Sequence, residues 1–182
     1  DVSGKGVNAG MVMAKAITLF KIFAKQKYKP NEILFEMNND LKETNPAGTF
    51  ITSIVGRYHL KTDLVEIANA GHQPALLKIS DNFREFPSSS MPLAVTKHKD
   101  ESVYNLESFN LNGGRIYCFT DGFSECMDDN KQEIGIDGVK NLLIKHQNSL
   151  LKKELEDTTE EIRLKSLKKG TTERGIKDNN DI

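Results

Sequence analysis

The spacing of apolar residues changes character along the chain. Between Asn8 and about Lys27, apolar side chains recur every three or four residues with lysines between them, which predicts an amphipathic helix with Asn8 as its N-cap. Pro30 ends this pattern, since proline cannot continue a helix, and a second helix capped by Asn31 is predicted to end in a loop at 44–48.

Short runs of β-branched and aromatic residues follow these two helices and predict a series of strands. The predicted strands cover residues 50–58, 64–70, 75–79, 83–86, 103–109 and 115–120, and two further helices are predicted at 136–147 and 152–168. Contiguous strands joined by short turns favour antiparallel pairing. The order of elements therefore predicts an α+β layered domain rather than a parallel sheet of alternating strands and helices.

Composition narrows the class of protein. The 182 residues are 37% hydrophobic and 28% charged, which suits one globular domain with a substantial core. The formal net charge of −1 argues against a dedicated nucleic-acid binder. No apolar stretch is expected to approach the roughly 20 residues that span a bilayer, so no membrane contact is expected from this segment.

The two cysteines favour a reduced, cytoplasmic protein. Cys118 lies in the apolar run at 115–120 and is expected to be a buried thiol, whereas Cys126 follows a turn. A disulfide or a cysteine-based zinc site is poorly supported by this arrangement. The chain begins without Met or any signal-like segment, so it is expected to be part of a longer protein.

Two aspartates are the leading candidates for chemistry. Asp1 precedes a glycine-rich opening, and Asp121 stands before Gly122 at the end of the apolar run. Carboxylates are hard oxygen donors of the kind that magnesium and manganese prefer, and two metals bridged by a carboxylate can activate a water and neutralise phosphate charge. On spacing alone, the simpler interpretation is favoured, in which each aspartate caps a helix or closes a turn.

The remaining candidates carry weaker signals. The glycine-rich opening is compatible with a phosphate cradle at a helix N-terminus, but it lacks the spacing and the hydroxyl residue of a P-loop. His72 lies in a turn, where bonding to backbone is favoured over a role as general acid or phosphate contact. Ser3 and Ser124 have no histidine at a triad spacing, and the acidic residues Glu125, Asp128 and Asp129 are expected to form a solvated loop.

Four ordered motifs together resemble the PPM-type, metal-dependent serine/threonine phosphatases. They are Asp-Val-Ser-Gly-Lys-Gly at 1–6, Asn-Ala-Gly-His-Gln-Pro-Ala-Leu-Leu at 69–77, Met-Pro-Leu-Ala-Val at 91–95 and Phe-Thr-Asp-Gly-Phe-Ser-Glu at 119–125. The nearer likeness is to the bacterial branch that includes the sporulation stage II E phosphatase and the stress-response sigma-factor regulators. In the third motif Ala94 stands where that branch has glycine.

This resemblance implies a β-sandwich of two antiparallel sheets flanked by helices, with a site for two manganese or magnesium ions at one end. Asp1 would be the bridging carboxylate with the Val2 carbonyl beside it, and Asp121 would bind one metal, so Asp1 and Asp121 would be the catalytic pair. The family closes with an Asp-Asp-hydrophobic-Thr segment, which reads Asn180-Asp181-Ile182 here. Asn180 thus occupies a ligand position, with Asp181 or Asp178 as the alternative ligand.

The activity implied is hydrolysis of phosphoserine or phosphothreonine on a regulatory protein, by resemblance an anti-sigma-factor antagonist. The alternative is a catalytically inactive regulatory or interaction domain, favoured by Asn180 and by the family's Gly-Gly-Asp segment lying upstream of this chain. Residues 1–182 would form a single partial phosphatase domain, truncated at both ends. A homodimer, and a parent protein anchored in a membrane through an unseen N-terminal region, are both compatible with this sequence.

Overall fold

The structure is a computed structural model that describes residues 1–128, 130–146, 158 and 160. Its contacts divide the chain into two compact units, Asp1–Cys118 and Phe119–Ile182, and each is described by itself. The single domain expected over residues 1–182 stays a prediction. The helix expected at 152–168 lies outside the described residues, apart from Thr158 and Glu160, which are both helical.

The first unit opens with two helices, α1 at Gly6–Lys25 and α2 at Pro30–Thr44. Both begin earlier than the expected caps Asn8 and Asn31. Proline suits the first turn of a helix because its φ is already helical and its missing N–H would have no partner there. The Glu32 carboxylate accepts a hydrogen bond from the Lys29 nitrogen at 2.6 Å, which holds the start of α2 in place of an asparagine cap.

Helix α1 is long and apolar enough to cross a membrane by length and composition, which corrects the expectation that no stretch approaches that length. Core helices and signal sequences can meet the same criterion. One face of α1 packs into the core beside α2 through Val12, Ala16 and Leu19. Its other positions leave several large apolar side chains exposed, namely Val7, Met11, Met13, Ile17, Phe20 and Ile22.

Among the residues that the structure describes, six strands form two antiparallel sheets, which confirms the predicted fold class. The first sheet contains β1 (Ser53–His59), β2 (Leu64–Ala70) and β5 (Glu107–Asn110) in the order β1-β2-β5. The second contains β3 (Ala75–Ile79), β4 (Asn82–Phe86) and β6 (Arg115–Tyr117) in the order β4-β3-β6. The pairing of β1 with β2 runs from Ser53 opposite Ala70 to His59 opposite Leu64.

Hydrophobic clusters hold the first unit together. One joins α1 and α2 to the first sheet, with Leu34, Leu41 and Ala70 fully buried in it. Another contains Ile67 from β2 and three residues of the second sheet, Ala75, Leu77 and Phe86. Side chains of the two sheets therefore interdigitate in one layer, as in a β-sandwich with helices on one outer face.

The bounds expected for the last two strands were wrong. The strand expected at 103–109 begins later, as β5 at Glu107–Asn110, and a 3-10 turn at Glu101–Val103 precedes it. The strand expected to reach residue 120 ends at Tyr117, because the pairing of β6 with β3 covers only residues 115–117. Cys118 lies beyond the last pair and is exposed, whereas Cys126 is the buried thiol.

The second unit contains two described helices, α3 at Asp121–Ser124 and α4 at Gly135–Lys145. Helix α4 corresponds to the one predicted at 136–147. Cys126 and Leu142 are buried together there, with Phe123 and Ile134 packed against them.

A buried amide in α2 holds the loop that follows β4. Asn38 has no exposed surface, and its Oδ1 accepts a hydrogen bond from the Ala94 nitrogen at 2.9 Å. Its Nδ2 donates to the Thr96 carbonyl, also at 2.9 Å. Between these contacts Ala94 adopts a φ of +67°, a left-handed conformation that disfavours residues with a Cβ.

Replacing Ala94 by glycine is therefore expected to raise the free energy of unfolding by about 1 kcal/mol, because relief of the left-handed strain outweighs the entropy that glycine adds to the unfolded chain. Chemical denaturation of the full-length protein measures the change. Ala14→Gly, inside α1, is the matched control and is expected to lower the free energy of unfolding by a similar amount. Destabilisation by Ala94→Gly would contradict the argument.

A charged cluster joins the end of α1 to the first sheet. The Glu66 side chain is nearly buried, and its Oε2 accepts hydrogen bonds from Arg57 Nε and His59 Nε2, each at 2.8 Å. Arg57 Nη1 also donates to the carbonyls of Lys27 and Tyr28, just beyond α1. The hydrogen bond from His59, and then the contact with Arg57, hold the pKa of Glu66 below its ordinary value of 4.5 in spite of burial.

A carboxyl whose pKa is lower in the folded state stabilises the fold above its unfolded pKa, and this stabilisation is lost as the pH falls through the folded pKa. Glu66→Gln is expected to cost about 1–3 kcal/mol at neutral pH, and to flatten the loss of stability below about pH 4.5. Denaturation at several pH values measures both effects. Glu43→Gln, which breaks an exposed ion pair with Lys97, should cost less than about 1 kcal/mol. Equal losses for the two variants would refute the role of the cluster.

Candidate active site

The segment that carries Asp1 is held by backbone pairing. The Asp1 nitrogen donates to the Thr52 carbonyl at 2.8 Å, and the Thr52 nitrogen donates to the Asp1 carbonyl at 2.9 Å. Val2 lies opposite Ile51 in an antiparallel bridge, and Ile51 lies opposite Leu93 on its other side. Residues 1–3 thus form one edge of a short three-stranded arrangement that reaches the loop after β4.

Two glycines turn the chain from this segment into α1. Gly4 has a φ of +93° and Gly6 a φ of +76°, and no described atom lies within 4 Å of a Cβ built at either position. Backbone conformation rather than crowding therefore requires glycine here. Lys5 stands at the N-cap of α1 without a side-chain cap, so the positive end of the helix dipole comes a few residues after Val2 along the chain.

His72, the candidate histidine of the sequence analysis, lies in a turn that the buried side-chain amide of Asn69 holds in place. Asn69, at the end of β2, accepts the His72 N–H at 2.9 Å and donates to the His72 carbonyl at 3.1 Å. Gly71 has a φ of +67° and lies against Pro92, while its N–H is bonded to Ser88 Oγ at 2.7 Å. His72 thus lies in a turn as expected, and the contact of its ring Nδ1 is with a side chain, Thr52 Oγ1 at 2.7 Å, rather than with the backbone.

Asp121 is the first residue of α3 and its side chain is exposed. Its carbonyl accepts hydrogen bonds from the Ser124 hydroxyl at 3.2 Å and from the Glu125 nitrogen at 2.8 Å. Asp121 belongs to the second compact unit and Asp1 to the first, so their meeting at one site stays a prediction. The other predicted ligands, Asn180 and Asp181 with the alternative Asp178, lie outside the described residues.

Several weaker candidates have structural partners. Ser3 Oγ accepts the Phe50 N–H at 2.9 Å, and the Ser124 hydroxyl is bonded to the Asp121 carbonyl. Asp128 Oδ1 accepts the N–H groups of Asn130 and Gln132 and closes a turn. Asp128 thus lies in a turn of the loop expected there, and the Ser3 and Ser124 hydroxyls contact the backbone.

The oxygen atoms of the Asp1 carboxylate and the Val2 carbonyl suit a hard divalent cation. Within the described part of the chain, the Val2 carbonyl accepts no hydrogen bond from protein, and it adjoins the exposed Asp1 carboxylate. Two adjacent oxygen donors match the preference of magnesium and manganese. Residues 1–128 and 130–146, with 158 and 160, contain no cluster of three or more metal-ligating histidine, cysteine or acidic side chains. Asp1 and Val2 therefore fit part of a metal site.

Sequence reasoning assigned no role to two residues that shape this region, Thr52 and Asn69, although Asn69 opens the second motif. Asparagine is depleted in strands, so Asn69 inside the apolar run 64–70 was a detectable signal of a special role. Thr52 gave no such signal, since threonine is common in strands.

Two solved structures share the fold of this chain. The RsbU and RsbW domains of Rv1364c from Mycobacterium tuberculosis match with a TM-score of 0.74 and 24% identity, over 89% of this chain and 45% of that chain. A bacterial serine phosphatase bearing a point mutation matches with a TM-score of 0.52 and 19% identity, over 74% of this chain and 57% of that one. The fold is that of the PPM-type phosphatases, as the resemblance implied.

The family described as Stage II sporulation protein E (SpoIIE) matches residues 1–178, and the chain belongs to this family. Phosphoserine phosphatase RsbU of Bacillus subtilis (strain 168) is 25% identical over 132 residues, which cover 71% of this chain and 39% of RsbU. The chain spans less than half the length of RsbU and of the mycobacterial chain. The family inferred from the four motifs is confirmed.

The turn at Gly71 offers a test of how tightly this region is built. A Cβ at Gly71 would lie 2.5 Å from Pro92 Cγ as well as forcing a side chain into the left-handed region. Gly71→Ala is therefore expected to lower the free energy of unfolding by about 2–5 kcal/mol, from strain and overpacking together. Gly113→Ala has a similar φ of +73° but open space, so about 1–2 kcal/mol is expected. Equal losses in denaturation experiments would show that the contact with Pro92 is not tight.

Proposed function

We propose that this chain is the catalytic part of a metal-dependent serine/threonine phosphatase, which hydrolyses phosphoserine or phosphothreonine on a regulatory protein. Membership of the SpoIIE family supports this, as does the likeness to a relative named as a phosphoserine phosphatase. The observation that carries the proposal is the Asp1–Val2 segment, where the Val2 carbonyl, which accepts no hydrogen bond from the described residues, adjoins the Asp1 carboxylate a few residues before the uncapped start of α1.

Each part of this segment has a task in phosphate ester hydrolysis. The Asp1 carboxylate and the Val2 carbonyl would hold a divalent ion, while Asp121 and either Asn180 or Asp181 would supply further oxygen ligands. Two manganese or magnesium ions bound there would activate water and neutralise charge on the phosphoryl group. The N-terminal N–H groups of α1, reached through Gly4 and Gly6, are suited to orient phosphate oxygens.

The substrate proposed is a phosphorylated anti-sigma-factor antagonist in a bacterial signalling pathway. Support comes from the four motifs, which resemble the branch of the family that regulates sigma factors. A cytoplasmic location belongs to the same proposal, since the substrate would be a cytoplasmic protein.

Asp121→Asn tests the catalytic assignment. The change keeps the size of the side chain and the start of α3 but removes a charged metal ligand, so phosphate release from a phosphoserine protein should fall by about 100-fold or more in manganese. Folding should be unaffected, since only the Asp121 backbone carbonyl bonds within α3. Steady-state turnover of the full-length protein is the measurement.

Asp137→Asn is the matched control, because Asp137 lies on α4 with its side chain 90% exposed and should be neutral for turnover. Unchanged manganese-dependent turnover in Asp121→Asn would contradict the assignment of Asp121 as a catalytic metal ligand. Calorimetric titration with manganese distinguishes the phosphatase proposal from the alternative of a catalytically inactive domain. An inactive domain should show no tight manganese site.

A further inference from the structure

We propose that Thr52 and His72 form a positioning pair that holds the Asp1–Val2 segment in the geometry required for metal binding. This inference rests on the proposed phosphatase function and assigns a task to two residues that do not themselves ligate metal. It starts from one contact, the 2.7 Å separation between Thr52 Oγ1 and His72 Nδ1.

Thr52 controls the position of Asp1 through the main chain. Both backbone polar groups of Thr52 are bonded to those of Asp1, at 2.8 and 2.9 Å. Any displacement of Thr52 is therefore passed to the Asp1 Cα and so to its carboxylate. A carboxylate that binds metal depends on such support, because small errors in its position weaken coordination.

The ladder between β1 and β2 does not extend to Thr52. Its last pair is Ser53 opposite Ala70. Gly71 follows with a φ of +67°, and the chain turns away from β1 there. The Thr52 hydroxyl reaches across this gap to the His72 ring and makes a side-chain contact just beyond the last backbone pair. The contact thus steadies the one residue of this segment that pairs directly with Asp1.

His72 is a rigid anchor for this contact. Its backbone N–H and carbonyl are both bonded to the Asn69 side chain, which is 7% exposed. Asn69 Nδ2 also donates to the Phe86 carbonyl at 3.2 Å, so the turn is tied to the second sheet. A continuous path of hydrogen bonds therefore runs from the sandwich interior through Asn69, His72 and Thr52 to Asp1.

The fold does not depend on the Thr52 hydroxyl. Ile51, the preceding residue, is 3% exposed and exchanges two backbone hydrogen bonds with Leu93, at 3.1 and 2.7 Å. These contacts keep the segment in place at its buried end. Loss of the hydroxyl should thus loosen the Asp1 end locally and leave the free energy of unfolding nearly unchanged.

Thr52→Val and Thr52→Ser in the full-length protein provide the test. Valine keeps the branched shape and removes the hydroxyl, so manganese affinity measured by calorimetry should fall about 10–100-fold, the usual cost of losing a supporting hydrogen bond at a metal site. Serine keeps the hydroxyl and should restore most of the affinity. Thr49→Val is the matched control, because no described residue is bonded to the Thr49 hydroxyl. The manganese affinity of this variant should equal that of the unmutated protein.

Amide hydrogen exchange gives a readout that does not require metal. The N–H of residue 52, which donates to the Asp1 carbonyl, should exchange about 10-fold faster or more in Thr52→Val, while core amides such as that of Ile67 keep their protection. His72→Ala should produce the same local change, and the double variant should be no worse than either single variant. Additive effects would show that the two residues act separately.

The outcomes separate the two proposals. Unchanged manganese affinity in Thr52→Val, in a protein that binds manganese, overturns the positioning role and leaves the phosphatase proposal intact. Absence of a manganese site in the unmutated protein overturns the phosphatase proposal, and with it the task assigned to the pair. Faster exchange at every amide in Thr52→Val would identify Thr52 as a general stabilising residue and overturn the positioning role.

Discussion

The pairing of residues 1–3 with residues 50–52 is the constraint on which the rest of the first unit depends. It closes a loop of about fifty residues that contains both helices, and closing such a loop costs conformational entropy. The cost is offset because the closed loop places α1 and α2 on the first sheet, where their apolar faces are buried in one cluster. The same pairing positions Asp1 and Val2, so the packing of the core and the geometry of the candidate site share one cause.

Polar side chains in the interior of this unit hold irregular backbone where the sheets end. Asn38 bonds the loop that contains Ala94, and Asn69 bonds the turn that contains His72. Buried amides are costly unless satisfied, and both are bonded to main-chain groups of these loops. The two asparagines thereby fix the two loops that contact residues 51 and 52, the segment with which residues 1–3 pair.

The local spacing of apolar residues was sufficient to predict most helices and strands of the first unit. All six strands and both helices were anticipated within a few residues, because the period of apolar residues reports which face is buried. The helix starts were wrong for a different reason. Asparagine is the better cap by side-chain preference, but the caps observed are Lys5 and Lys29, three and two residues earlier, with Gly6 and Pro30 as the first helical residues. The expectation that Cys118 is buried was also wrong, because the hydrophobicity of a run of residues does not show where a strand stops pairing with its neighbour.

The sequence by itself determined the order of elements, their antiparallel pairing and, through four spaced motifs, the phosphatase family. Periodicity and motif spacing are properties of neighbouring residues, so they can be read without coordinates. Only the tertiary structure decided that Thr52 lies between Asp1 and His72, that Ala94 is left-handed and that Cys118 is exposed. These features depend on partners that are distant along the chain, as with Asp1 and Thr52, which are 51 positions apart, and no local pattern specifies such a partner.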